Sequence, residues 1–241
     1  MQQLMFGVGN TKLSAEIATF SLPAGWACPG AKDCLARANR QTGRLTDGPN
    51  TKFRCYAASM ETVCTSVRHS RWNNFELLKG KSRAEMTAML IERVNAIKQG
   101  IVRIHVSGDY FSQDYFDAWL DVARAFPLKT FYGYTKSLLF WVRRIKDISP
   151  NLRLTASRGG RFDDLIDQYN LVSAEVVYSE WDAKFKRLEI DHDDSLAIRA
   201  DKSFAILLHG TQKAGTQAAE DWRRIQNSDG GYSRRAKQKT V

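Results

Sequence analysis

The stretch Ile101-Val102-Arg103-Ile104-His105-Val106-Ser107-Gly108-Asp109 decides the fold. Ile101, Val102, Ile104 and Val106 are β-branched, and the run is strand-sized rather than helix-sized. Ser107-Gly108-Asp109 then breaks it. Upstream, Ser82-Arg83-Ala84-Glu85 matches a capping box, and Met86, Met89, Leu90, Val94 and Ile97 recur at helical spacing until Gly100. Downstream, Ser112 can cap a helix that carries Phe116, Trp119, Leu120 and Ala123 on one face. The pattern repeats: strand at 130–134, helix at 138–148 stopped by Pro150, strand at 152–156, helix at 161–169, strands at 174–178 and 203–208. Strands alternating with helices in this way imply right-handed βα units around a parallel sheet. The expected architecture is a single α/β domain over residues 1–227, built as a partial or distorted TIM-like barrel.

In such folds, functional residues lie beyond the carboxyl ends of the strands. Those ends read Ser107-Gly108-Asp109, Thr135-Lys136-Ser137, Ser157-Arg158-Gly159-Gly160, Ser179-Glu180 and His209-Gly210-Thr211-Gln212. Turn and cap chemistry explains any one of them. As a set they predict a polar rim at which Asp109, Lys136 and His209 could contact a small ligand.

The N-terminal part adds short strands near 4–8 and 16–22, then a segment holding every cysteine of the 241-residue chain. The spacing is C-x5-C-x20-C-x8-C, over Cys28, Cys34, Cys55 and Cys64. Residues 38–51, rich in Asn, Gly, Asp and Pro, read as a loop between the second and third cysteines. The N-terminus lacks a basic region followed by an apolar run, so no secretory signal is expected, and in a reducing compartment clustered cysteines more often hold a metal or cluster than a disulfide. Inert thiols and a disulfide pair are the other readings. No zinc-ribbon, ferredoxin or C-x3-C-x2-C spacing occurs. If a helix begins at Cys55, nine residues turn Cys64 to its opposite face. Three ligands then remain, Cys28, Cys34 and Cys55, with Cys64 a small buried side chain; if Cys55 sits on the preceding loop instead, Cys64 is a fourth ligand. Thiolate-only ligation favours an iron–sulfur cluster, a [4Fe-4S] cluster with one iron open to a small molecule or, with that iron lost, a [3Fe-4S] cluster; zinc is the alternative.

A hydrophobic content of 43% and a charged content of 26% suit a soluble globular protein, and no apolar run is long enough to span a membrane. Net charge is +10. From Trp222 to Val241 six Lys and Arg residues, Arg234 and Arg235 among them, face Asp229 alone, so residues 228–241 read as a flexible basic tail. Arg68-His69-Ser70-Arg71-Trp72 forms a second basic cluster with an aromatic ring. Arg71, Arg234 and Arg235 are therefore candidate phosphate contacts, with a solvated helix face and a solubilising tail as the plainer readings. Asp191-His192-Asp193-Asp194 reads as a solvated acidic loop or a weak divalent-cation site.

Several of these pieces carry a resemblance. Asn10-Thr11-Lys12-Leu13, 19–25, Cys28-Pro29-Gly30-Ala31, Cys34, Cys55-Tyr56-Ala57, Ser107-Gly108-Asp109, Tyr134-Thr135-Lys136-Ser137 and His209-Gly210-Thr211-Gln212 resemble the phage family named after mycobacteriophage gene product 88. The resemblance implies a phage protein in the host cytoplasm, a cluster on Cys28, Cys34 and Cys55, and distant kinship with radical-SAM-type barrels. It implies no defined reaction. Redox or radical chemistry on a small molecule is one expectation; a nucleic-acid-binding or host-interacting protein with a structural or sensing cluster is the other.

Overall fold

The computed structural model describes residues 3–9 and 12–227. The sheet follows the expected alternation. Its strands are β1 (Gly7–Val8), β2 (Ile17–Ser21), β5 (Ile101–Ser107), β6 (Thr130–Thr135), β7 (Leu152–Ser157), β8 (Ser173–Val177) and β9 (Phe204–Leu207), side by side in that order. A separate hairpin, β3 (Ala36–Ala38) with β4 (Leu45–Asp47), lies between the second and third cysteines. Where composition predicted only loop, Asn39 ties the turn, its side chain accepting from the N–H groups of Gln41 and Thr42.

β1 pairs antiparallel to β2, and all other pairs of the large sheet are parallel. Each parallel strand adds beside its predecessor, so the order has no switch point of the doubly wound kind. No pairing joins β9 back to β1 or β2 among the described residues, so the sheet is open there and no closed barrel forms.

Helices α1 (Tyr56–Val63), α2 (Thr65–Leu78), α3 (Arg83–Asn95), α4 (Gln113–Ala125), α5 (Leu138–Val142), α6 (Asp164–Gln168), α7 (Glu180–Phe185), α8 (Ser195–Arg199) and α9 (Gln217–Asn227), with a 3-10 turn at Ile145–Asp147, complete the described elements. The Ser82–Glu85 capping box forms in full, and the Ser112 hydroxyl accepts from the Tyr115 N–H. Two helices are shorter than predicted. α5 stops at Val142 and α6 begins only at Asp164, because Asp163 is held back by the Gly159 and Gly160 N–H groups.

The main core joins α2 to α6 with one sheet face: Val102, Ile104, Phe131, Leu152 and Leu154 meet Leu78, Leu90, Trp119, Leu138 and Ile166. On the other face α8 packs with Ile17, Tyr132, Ala174 and Phe204. There Asp194, fully buried, pairs with Arg103 at 2.5 Å and Lys12 at 2.6 Å and accepts from Tyr132 at 3.0 Å. The expectation of a solvated acidic loop at 191–194 is thus overturned: Asp191 and Asp194 are buried, Asp194 as the counter-ion of Arg103 and Lys12 and Asp191 accepting from the Ala197 N–H at 3.3 Å.

β5 is irregular at its carboxyl end. His105 is buried with φ of 65°, and β2 advances from Thr19 to Ser21 while β5 advances from Arg103 to Ser107. This irregularity shifts the register, after which Ser107 pairs with Ser21 at the end of the strand.

Candidate functional site at the strand-end rim

The cysteine segment is laid across the carboxyl ends of the parallel strands. Leu22 N–H bonds to Ser107 O at 2.8 Å, and Gly108, at φ of 81°, leaves room for Leu22. Asp33 N–H bonds to Gly159 O and Arg161 N–H to Gly30 O, both at 2.9 Å, with a bridge between Ala31 and Gly160. Gly30 lies so close to the Lys136 carbonyl that any Cβ would collide with it. That contact accounts for glycine after Cys28-Pro29. The third cysteine enters from the other side. Arg54 N–H bonds to Gln212 Oε1 at 2.7 Å, Ser59 Oγ to Thr211 O at 3.0 Å, and the Tyr56 hydroxyl to Val106 O at 2.6 Å. The rims after β5, β6, β7 and β9 thus all pack on this segment. Ser179, after β8, instead caps α7.

These anchors bring Cys28, Cys34 and Cys55 into one another's electrostatic field. All three are free thiols and partly accessible. Burial, reinforced by the nearby Asp109 carboxylate, pushes the Cys28 thiol well up. Burial lifts Cys34 to about 11, with the Lys136 ammonium opposing. Burial also raises Cys55, against the Ala58 and Ala57 N–H groups of the first turn of α1, at whose N-cap it sits. Gly25 N–H points at Cys28 Sγ at 3.3 Å. As thiolates, the three sulfurs need positive charge between them. Among the described residues, no three His, Cys, Asp or Glu side chains are close enough together to grip a single metal ion.

Cys64 stands apart. It ends α1 and begins α2, roughly 13 Å along the axis from Cys55. The expectation that it is a buried apolar side chain fails. It is only partly buried, bonded to Ser66 Oγ at 3.4 Å, and that bond lowers its pKa.

Asp109 and Lys136 both lie at the thiols, but as framework. Asp109 is buried and accepts from Thr135 Oγ1 at 2.6 Å, Tyr110 N–H at 2.7 Å and Lys136 N–H at 2.8 Å. Burial still lifts its carboxyl to about 6. Lys136 Nζ donates to Ser157 O at 2.8 Å, Ser157 Oγ at 2.9 Å and Arg158 O. All three donors are thereby used on the neighbouring strand end. His209 packs against Tyr56 with ring centroids 4.6 Å apart and planes tilted by 37°, its Nδ1 on Leu207 O at 2.8 Å. Burial depresses its pKa to about 4.

Arg71 is buried, donating to Glu61 Oε1 at 2.9 Å and Ala57 O at 2.8 Å, and offers no free face to phosphate. Its neighbours Arg68 and Trp72 are buried as well, so this basic cluster is interior rather than a solvated helix face. Arg234, Arg235 and the basic tail at 228–241 lie outside the described residues.

Sequence reasoning missed Glu61. Wholly buried, it accepts from Ala24 N–H and Arg71 at 2.9 Å each and from Ser107 Oγ at 3.4 Å. One carboxylate thus clasps the Cys28 loop, α1 with its Cys55 cap, and the end of β5. A signal existed. Ala57 and Glu61 are four residues apart, which puts Glu61 on the small-residue face of α1.

A family model described as gene product 88 matches residues 3–228. The Gene 88 protein of Mycobacterium phage L5 is 32% identical over 90 residues, covering 34% of this chain and 38% of that protein. The Gene 88 protein of Mycobacterium phage D29 is 31% identical over 90 residues, with the same coverage of both chains. The chain therefore spans 38% of the length of each curated relative in these matches. No solved structure matches it.

Proposed function

Since the chain belongs to the gene product 88 family, we propose that it is a phage protein of the host cytoplasm that holds an iron–sulfur cluster on Cys28, Cys34 and Cys55. The observation that carries the reading is the convergence of these three thiols, and not Cys64, at the rim of the parallel sheet. The donor set fits the group. It is thiolate-only, with the Gly25 N–H aimed at one sulfur and a helix start at another, contacts that stabilise and tune cluster thiolates. When bound, the cluster supplies one-electron chemistry, with one iron left without a protein thiolate.

The protein's own residues would fix that site. Lys136 and Asp109 join the strand ends beneath the loop, and Glu61 holds the Cys28 loop to α1. Sequential parallel strands with a loop of cysteines over their carboxyl ends support reading the sheet as an open relative of TIM-like, radical-SAM-type barrels. SAM cleavage has no support, because the C-x3-C-x2-C loop is absent.

The test is anaerobic purification with iron and sulfide analysis and EPR. The expected outcome is a brown protein that loses most of its iron in Cys28→Ser, Cys34→Ser and Cys55→Ser and keeps it in Cys64→Ser. A colourless protein binding one zinc overturns the reading.

A further inference from the structure

Beside Cys34 a groove of about 400 Å³ runs between two segments that meet at the rim. One wall is the cysteine loop with the turn after β4: Ala31, Lys32, Leu35, Pro49 and Asn50. The other is the β7–α6 turn, Arg161 and Phe162. The walls are held by backbone. Arg161 N–H bonds to Gly30 O at 2.9 Å, Gly48 N–H to Leu35 O at 2.7 Å, and Thr51 Oγ1 to Leu35 O at 2.5 Å. Arg161 Nε rests on Ala31 O at 3.4 Å, which leaves the two terminal guanidinium nitrogens for a ligand. The groove is an open depression at the surface whose walls are tied together by backbone bonds, with Lys32 and Arg161 exposed beside it.

Its charge is one-sided. Lys32 and Arg161 line it and no carboxylate does. Of the nearby carboxylates, Asp33 pairs through Oδ2 with Lys52 at 2.8 Å and Asp163 accepts from the Gly159 and Gly160 N–H groups at 2.7 and 2.8 Å, and neither lines the groove. The remaining lining is apolar, from Ala31, Leu35, Pro49 and Phe162, apart from the amide of Asn50. Two cations at an apolar slot match an anionic head joined to an apolar or aromatic body.

We infer that this groove binds a small organic anion, a phosphate or carboxylate on an apolar body, and holds it against the Cys34 loop. The inference names the small molecule of the proposed cluster site and rests on that reading for its chemistry. Binding itself needs no metal, since the groove contains no thiol.

The experiment is isothermal titration of the full chain with adenosine monophosphate and phenylpyruvate as probes and adenosine as the uncharged control. At least one anion is expected to bind tenfold or more tightly than adenosine, and to weaken as salt rises. Lys32→Glu with Arg161→Glu should weaken it a further tenfold or more, and Lys32→Glu alone, at an exposed side chain, several-fold. A charge-matched control, Lys98→Glu with Lys146→Glu, should leave it within twofold. Preference for the monophosphate assigns the phosphate head; preference for phenylpyruvate assigns the carboxylate. The inference is overturned if neither anion binds, or if the groove variants bind as the control does. Iron analysis of the same preparation fails or succeeds separately, so the two readings can fall independently.

Discussion

His209 lies on the Tyr56 ring one residue from Cys55, and its imidazole is held neutral by burial. Its folded pKa of about 4 is below the ordinary 6.5, so between those values the unfolded chain binds more protons than the folded one. Stability from this residue is present above pH 6.5 and is lost as pH falls toward 4. Urea denaturation from pH 7 to pH 4 should therefore show a smaller decline for His209→Gln than for the native chain. The difference should be on the order of 2 kcal/mol, discounted for the partial exposure of the ring. Asp109 works with the opposite sign. Its carboxyl, lifted to about 6 by burial, favours the folded state in its protonated form, so its contribution falls as pH rises from about 4 to 6. Identical slopes for His209→Gln and the native chain would refute the buried, neutral histidine.

Among the elements, α1 matters most, because its N-cap is a thiol and its buried face carries Glu61. Glu61→Leu removes the partner of a buried Arg71 and the acceptor of Ala24 N–H, and should cost about 3–5 kcal/mol. Glu61→Gln keeps an acceptor for Ala24 and should cost less. In metal-free, folded protein, alkylation of Cys28 and Cys55 followed by mass spectrometry should accelerate in Glu61→Leu and stay near native in Glu61→Gln, with Cys64 unchanged in both. Equal acceleration at all three thiols would mean general loosening and not a released clasp. The elements also show what a single chain discloses. Strands β5 to β9 and the caps at Ser82 and Ser112 are readable because β-branched runs and side-chain caps are local signals. The β3–β4 hairpin was hidden by strands of three residues each, too short for periodicity. The burial of Asp194, Arg71 and Glu61 was hidden for another reason: an ion pair closes between segments 10 or 91 residues apart, and each charge alone reads as surface. The separation of Cys64 from Cys55 was legible from the helix that runs between them, whereas the groove at Lys32 and Arg161, 129 residues apart in the numbering, left no trace in the sequence.

For the whole molecule, the open sheet is a platform and the cysteine segment is docked upon it. The tightest point of that docking is Gly30 on the Lys136 carbonyl. Gly30→Ala should lift the loop off the rim, lowering iron content and destabilising the fold by a few kcal/mol, the range of overpacked cores. Gly80→Ala is the control, since a Cβ there meets nothing, although its φ of 76° carries some strain. Similar losses of iron in both variants would argue against a docked loop. No described helix is long and apolar enough to cross a membrane.

One consequence concerns synthesis. Residues 22–64 leave the ribosome well before the surfaces that receive them: Lys136, Gly159, and finally Gln212, which grips the backbone at Arg54 across 158 residues. The thiols are thus born without their seat, and acquire it only when nearly all of the described chain has been translated. A nascent chain arrested before Gln212 should leave its cysteines as open to modification as those of an unfolded peptide.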